Sequence, residues 1–380
     1  MSNPLGLYIH IPFCAKVCHY CDFAKTANFF EQDVQKYFAI LTAHLREHLA
    51  KLPSGTVFSS VFFGGGTPSL FVSEYLELFE VFRPFLGINA EISIEANPND
   101  ISSSKLEAWR TLGFNRISIG VQTFDELGLR KLTRDHDRQA AIEALQASRK
   151  VFSNINCDLI YGWEDQTSQT WQSDLEMLVQ LKIPHVSLYA LTFEGRTPFV
   201  RRVERGVLKS ATDKFLEHCY LSAMHILSRE GYNHEEISNW SRPGFSCQHN
   251  WIYWRGDSYV GVGAGAHGYL NWMGPQGLRY SYDKDFRRYL NQTTADIDQE
   301  RSADVWLMEY VGCSLRTFEG IDLRRVSERG FGFAPDGIVK SAISERRIFV
   351  TETKITLPEA EWFRETAWSS HLLSRCFTKV

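Results

Sequence analysis

The chain has 380 residues, 44% of them apolar, with 41 basic against 45 acidic side chains and a formal charge of −4. A chain of that size buries a large core and has room for two or more domains, and its slight acidic excess leaves no electrostatic footprint for nucleic acid. No apolar run approaches the roughly 18 residues of a membrane span, and no basic start followed by a long apolar stretch marks a signal peptide, so the sequence reads as cytosolic.

Short apolar runs recur through the first half, each followed by a glycine-rich or polar loop and then by helical spacing. Strands are predicted at 5–11, 57–63, 90–95, 116–121, 156–161 and 185–190. Between them Val34, Tyr37, Phe38, Leu41 and Leu45 share one helical face, as do Trp171, Leu175 and Leu178. Alternation of strand and helix predicts an α/β fold of parallel strands joined by crossover helices. The expected architecture is a partial parallel (β/α) barrel, with its chemistry at the carboxyl ends of the strands.

The first strand leads into Cys14, Cys18 and Cys21. A loop leaving a strand end can curl back and turn three thiolates toward one metal centre. A cube-shaped four-iron cluster normally takes four thiolates, and the next cysteine is Cys157, so one iron would stay open to a small ligand. The same three with His10 or His19 would also make a Cys3His zinc site, and spacing alone does not separate the two. Cys157, Cys219, Cys247, Cys313 and Cys376 are scattered singly and read as small buried side chains.

Further along, Gly64-Gly65-Gly66-Thr67-Pro68-Ser69 follows the second strand, either to let the backbone approach a ligand or as a tight turn. Glu95, Gln122 and Asp158 end successive strands, and polar groups gathered in one mouth call for a shared polar partner. Arg134 offers a positive charge for a carboxylate there. Beyond residue 200, Arg201-Arg202-Val203-Glu204-Arg205 reads as a charged linker, Phe215, Cys219, Ala223 and Ile226 mark a helix, and 235–244 reads as a strand and turn.

In His249-Asn250-Trp251-Ile252-Tyr253-Trp254 a histidine sits among large rings, as a core histidine or as an axial haem ligand. The glycine run from Gly261 to Gly268 invites close backbone contact or a packed turn. The last part predicts helices and an alternating pair at 347–351 and 354–357, a small helical domain with a wing. The expected divisions are 1–200, 201–294 and 295–380.

Tyr8-Ile9-His10-Ile11-Pro12-Phe13-Cys14 through Cys21-Asp22-Phe23 resembles the opening of the radical S-adenosylmethionine enzymes. Within them it resembles the HemW family of haem chaperones, relatives of oxygen-independent coproporphyrinogen III oxidase, and the likeness covers most of the chain. His249-Asn250-x2-Tyr253-Trp254 resembles the motif to which haem binding is assigned in that family.

The resemblance implies that Cys14, Cys18 and Cys21 hold a [4Fe-4S] cluster whose open iron is chelated by S-adenosyl-L-methionine. It implies that Tyr8, Tyr20, Gly65, Gly66, Thr67, Glu95, Gln122, Arg134 and Asp158 lie near that cofactor or a second copy of it, the Gly65 and Gly66 amides meeting its methionyl end. It implies haem contact at His249, with Arg242 or Arg255 beside the propionates. The implied fold is a partial radical SAM barrel with a winged-helix-like C-terminal domain of the HemN type.

The implied function is haem capture and delivery to acceptor apoproteins in the cytoplasm, with a homodimer and peripheral membrane partners left open. The alternative is oxidation of coproporphyrinogen III. Against it, Phe23 stands where the oxidase has a further cysteine, and the oxidase's N-terminal extension is missing. Trp163-Glu164-Asp165 and Thr133 also depart from the family pattern, at loop positions.

Overall fold

A computed structural model describes residues 4–298 and 301–380. Its centre is six strands that lie side by side in chain order: β1 (Leu5–Ile11), β2 (Phe58–Gly65), β3 (Leu86–Ala96), β4 (Arg116–Gln122), β5 (Asn154–Tyr161) and β6 (His185–Ala190). Each pairs parallel with the next. Helices cross between them, and their starts are written in the sequence: the side chains of Ser102, Asp137 and Thr167 accept the N–H three residues on and cap Ser103–Leu112, Arg138–Val151 and Ser168–Gln180.

The alternation along these strands sorts two environments. Leu7, Ile9 and Ile11 of β1, like Ile117 and Ile119 of β4, are fully buried under the helices, among them Glu31–Ala50, which turns Val34, Tyr37, Phe38, Leu41 and Leu45 inward. The other face of the strands lines a cavity and is polar at every second position: Arg116 and Ser118 on β4, Asn156 and Asp158 on β5, His185 and Ser187 on β6.

Six strands stand where the apolar runs predict them, with β3 beginning four residues earlier than expected. Its extra residues run past the helices, and Ile88 there is fully exposed.

The middle of the chain extends the same sheet at both edges. β7 (Asn233–Glu236) and β8 (Asn239–Ser241) add antiparallel beside β6. On the other side β9 (Ser258–Val262) pairs parallel with β1, followed by antiparallel β10 (His267–Leu270), β11 (Leu278–Ser281) and β12 (Asp296–Ile297). The result is one 12-stranded sheet in the order β12-β11-β10-β9-β1-β2-β3-β4-β5-β6-β8-β7.

The expected charged linker at 201–205 is instead part of a helix, Pro198–Glu204. Thr197 caps it, proline occupies its first turn, and Phe199 is its buried anchor. The charge run is that helix's solvated face.

The C-terminal part packs the helices Ala303–Ser314, Leu323–Glu328, Gly337–Ser344 and Glu365–Arg375 around two small sheets. The expected wing is there: Phe349–Val350 pairs with Lys354–Thr356, which also pairs with Ile321–Asp322. A second pair, Phe331–Phe333 with Phe377–Lys379, is too short to leave a periodic signal. This part shares the barrel's hydrophobic core through Trp306, Tyr310 and Leu315. It is also tied by charge: Arg316 donates to Glu236 at 2.9 Å and Arg325 to the buried Asp257 at 2.6 Å.

Candidate functional site

The cysteine loop is fastened where it leaves β1 and where it returns. Cys14 N–H donates to the Thr26 carbonyl at 2.9 Å, and Thr26 N–H to the Pro12 carbonyl at 2.7 Å. His10 holds the returning limb. Its Nε2 lies 2.7 Å from the Ala24 carbonyl and so carries the proton, leaving Nδ1 to accept from the Tyr8 hydroxyl at 2.9 Å. Burial lowers the His10 pKa to about 4, so the ring is neutral.

Cys14, Cys18 and Cys21 all line one cavity of about 840 Å³. Burial pushes the Cys14 thiol up to about 11 and also raises Cys21. Cys14 and Cys21 therefore stay protonated until a metal takes them as thiolates.

The zinc alternative loses its fourth ligand. Both nitrogens of His10 are engaged, and His19 packs edge-on against Phe199, outside the cavity lining. Among the described residues the donor groups that converge within 4.8 Å are Asp336, His371 and Cys376; the three loop sulfurs stand wider than that. One zinc ion at about 2.3 Å from each sulfur would draw them to about 3.8 Å.

The glycine turn works differently from the expectation. A Cβ on Gly65, which has φ +117°, would lie 2.5 Å from the His10 ring, and one on Gly66 would lie 2.7 Å from the Pro12 carbonyl carbon. Glycine is therefore demanded by the root of the cysteine loop. Both amides are already used inside the protein: Gly65 N–H donates to Glu95 at 3.0 Å and Gly66 N–H to the Ile11 carbonyl at 2.7 Å. The expectation that they meet a methionyl group is corrected accordingly. Beside them Thr67 is buried, accepts from Asn97 at 3.3 Å and supports the Cys14 thiol.

Glu95 and Asp158 face the same enclosed space. Burial pushes Glu95 up to about 8, the neighbouring Asp158 adds to the rise, and the Gly65 N–H opposes it. Burial also raises Asp158, although Ser118 donates to it at 3.1 Å and Asn156 at 2.6 Å. Two carboxyl groups in a dry pocket gain most from a cation placed between them.

Arg134 reaches across with Nη1 3.3 Å from the Cys18 sulfur and Nη2 at 2.7 Å from both the Asn97 side chain and the Gly120 carbonyl; its Nε has no partner. Tyr20 lines the cavity next to Cys18. Gln122 does so from a bulge between β4 and β5 with φ 74°.

The departures from the family pattern have local reasons. Thr133 takes a left-handed φ of 57°, and its hydroxyl accepts the His19 N–H at 3.0 Å, stitching this turn to the cysteine loop. Glu164 and Asp165 both close on Lys131, at 2.8 and 2.7 Å.

His249 lies on the helix Gln248–Trp254, whose first amides are accepted by Glu91 at 3.2 and 3.3 Å. Its ring enters the barrel through the space Gly6 leaves, where a Cβ would come within 3.2 Å of the imidazole, and stacks on Phe62 at 5.2 Å. Nδ1 meets Ser60 at 2.7 Å and Nε2 meets the Tyr253 hydroxyl at 2.8 Å. Burial lowers its pKa to about 3. In this arrangement neither nitrogen is free to bind iron.

Asn250 and Tyr253 line the cavity with His249, whereas Trp254 turns toward Arg316, 4.3 Å from its ring. The expected propionate partners are elsewhere. Arg255 is bound bidentately by Glu319 at 2.8 and 2.6 Å, Arg242 stacks on Tyr232 at 4.6 Å, and neither lines the cavity.

Sequence reasoning missed the cavity floor. Arg116, only 2% exposed, donates to Asn154 at 2.5 Å, and His185 Nδ1 meets Asn156 at 2.7 Å. The available signal was the strict alternation of polar with apolar residues in β4, β5 and β6, which in a barrel strand places the polar set inside.

A parallel sheet in chain order, three cysteines on the loop after its first strand, a glycine turn at the end of the second and buried acids on the cavity face of β3 and β5 define a radical SAM protein. The model of the Radical SAM superfamily matches residues 8–178. The chain is 37% identical over 295 residues to heme chaperone HemW of Lactococcus lactis, covering 76% of this chain and 75% of that one. It is 34% identical over 353 residues to heme chaperone HemW of Mycobacterium tuberculosis H37Rv, covering 89% of each. Its fold is similar to that of coproporphyrinogen III oxidase (HemN) from Escherichia coli, with TM-score 0.78 and 22% identity over 97% of this chain and 90% of that one. The chain belongs to the HemW family.

Proposed function

We propose that this protein is a haem chaperone: it binds haem, carries a [4Fe-4S] cluster with S-adenosylmethionine, and passes haem to acceptor apoproteins in the cytosol. The observation that carries the reading is the likeness to relatives named heme chaperone HemW, which spans 76–89% of the chain in the two comparisons above. The cavity supports the cofactor set. Cys14, Cys18 and Cys21, which line the cavity together, would hold the cluster.

Glu95 and Asp158 suit the ammonium or sulfonium of S-adenosylmethionine, and Arg134, while bonded to Cys18, suits its carboxylate. When bound, cluster and S-adenosylmethionine supply radical chemistry. The chain's own part is to shed a proton from Glu95 as the cation arrives, to exclude water, and to fix Cys18 through Arg134. His249 and Tyr253, hydrogen-bonded to each other at 2.8 Å and lining the same cavity, would be the haem contacts.

Anaerobic reconstitution should give about four irons per chain, with the visible absorption lost in Cys18→Ser. The loaded protein should then bind haemin and hand it to an apo-cytochrome, measured by recovery of the acceptor's spectrum. Failure to bind haemin, or turnover of coproporphyrinogen III to a vinyl product, would replace this reading with another.

A further inference from the structure

The floor of the main cavity carries a cation that forms no ion pair among the described residues. Arg116, the first residue of β4, is 2% exposed and lines the cavity. Its Nη1 donates to the Asn154 side chain at 2.5 Å and to the Phe245 carbonyl at 3.4 Å, both of them neutral groups, and its buried Nε has no partner. The acids in its neighbourhood are spent on other donors: Glu235 on the Ser241 and Ser246 hydroxyls, Glu91 on the Gln248 and His249 amides, Asp158 on Ser118 and Asn156. A buried guanidinium held by neutral groups is costly until an anion completes it.

We propose that Arg116 is the carboxylate anchor of the main cavity and receives a propionate of the haem whose ring meets His249 and Tyr253. The proposal rests on the haem chaperone reading and adds the residue that recognises the porphyrin's acid side chains, the place that Arg242 and Arg255 do not fill.

The placement supports it. The Phe245 carbonyl ties the guanidinium to the segment that leads directly into the helix Gln248–Trp254. His249 stacks on Phe62 of β2, and β3 alone separates β2 from β4. Two strand spacings are about 10 Å, which suits a tetrapyrrole held at its ring by His249 and at its acid edge by Arg116. Phe62, Tyr189 and Ile237 line the same cavity and offer apolar faces to that ring.

The charge at this end of the cavity belongs to Arg116. The other cations in the lining, Lys16, Lys25 and Arg134, come from the cysteine loop and the turn before Arg138–Val151, where the cluster and S-adenosylmethionine are proposed to lie. His185 is neutral: the Asn156 amide donates to Ser118, Asp158 and Ser187, so its oxygen accepts from His185 Nδ1 at 2.7 Å, and burial beside Arg116 keeps a second proton off the ring. With Nη1 occupied, the Nε edge of the guanidinium fork is the one left open, and such an edge meets a carboxylate with two parallel N–H···O bonds.

The test titrates anaerobically purified full-length protein with haemin and with haemin dimethyl ester, in which both carboxylates are masked. Wild type should bind haemin about tenfold or more tighter than the ester. Arg116→Gln should lose that preference, binding haemin as weakly as the ester while its affinity for the ester stays that of wild type. Arg116→Met, which replaces the buried charge by an apolar chain, should behave alike, so either variant suffices, with wild-type iron content after reconstitution as the criterion of folding. His249→Ala should weaken both ligands and keep the preference. Equal binding of haemin and ester by wild type would overturn the assignment, as would an undiminished preference in the Arg116 variants or an equal weakening of both ligands in them. If wild type binds neither ligand, the chaperone reading itself fails, an outcome distinct from each of these.

Discussion

Glu95 shows how a single buried acid sets the behaviour of the cavity. Its proton is held to about pH 8 in the folded chain, against an ordinary value of 4.5. A native state that binds more protons than the unfolded one loses stability as pH rises, here between about 4.5 and 8. Glu95→Gln keeps an acceptor for Gly65 and removes the charge, so it should flatten that slope and stabilise the unloaded protein at pH 8.5 by about 2–4 kcal/mol. Urea midpoints at pH 6 and 8.5 measure it. In the same variant, the gain in S-adenosylmethionine affinity expected for wild type between these pH values should vanish.

Arg134 is the complementary case. Arg134→Ala strips Cys18 of its cationic neighbour and removes the donor to Asn97 Oδ1 and the Gly120 carbonyl. Iron retained after reconstitution and gel filtration should fall to about half or less, with about 2–3 kcal/mol of stability lost.

The cysteines and Glu95 stood out in the sequence because each lies at or just beyond the end of a strand whose apolar run is plain, whereas Asp158, expected at a strand end, sits in the middle of β5 and reaches the cavity through the inward face of that strand. The use of the Gly65 and Gly66 amides was not legible, because a glycine's neighbours across a parallel sheet are set by register, which no local pattern carries. Arg242 and Arg255 misled for a related reason: their partners, Tyr232 and Glu319, come from elsewhere in the fold.

At the level of elements, the glycine turn after β2 and the cysteine loop after β1 act as one piece. Gly66→Ala would drive a methyl group against Pro12 and displace the loop at its root. A cost of about 1–3 kcal/mol is expected from such overpacking, with slower cluster loading measured by absorbance during reconstitution. The six central strands and the crossover helices were readable because each carries its own period and caps. The helix Pro198–Glu204 was not, since seven residues rich in arginine look like a solvated connector until Thr197 and Phe199 are seen as cap and anchor. The edge strands β7 to β12 are two to five residues long, too short for alternation to stand out.

For the whole molecule, the C-terminal part is a brace on the barrel's outer edge. Arg325 neutralises Asp257, whose side chain is 2% exposed, while Arg325 itself is 34% exposed. Arg325→Ala should therefore cost about 2 kcal/mol, less than for a fully enclosed pair because solvent screens the arginine. Hydrogen exchange should rise in Leu323–Glu328 and in β9 before it rises in β3 to β5. That the last 80 or so residues share one core with the first was hidden from the sequence, because the contacts join segments far apart in the chain.

A chain of hydrogen bonds runs from the Ala24 carbonyl through His10 to the Tyr8 hydroxyl. These three residues, which fasten the cysteine loop, are also wall residues of an adjoining recess of about 550 Å³. If a ligand in that recess leans on this wall, the coupling is reciprocal: whatever an occupied loop does to that ligand's grip, the ligand must return in equal measure to the loop. Loading of either would then report on the other, with the same sign and size in both directions.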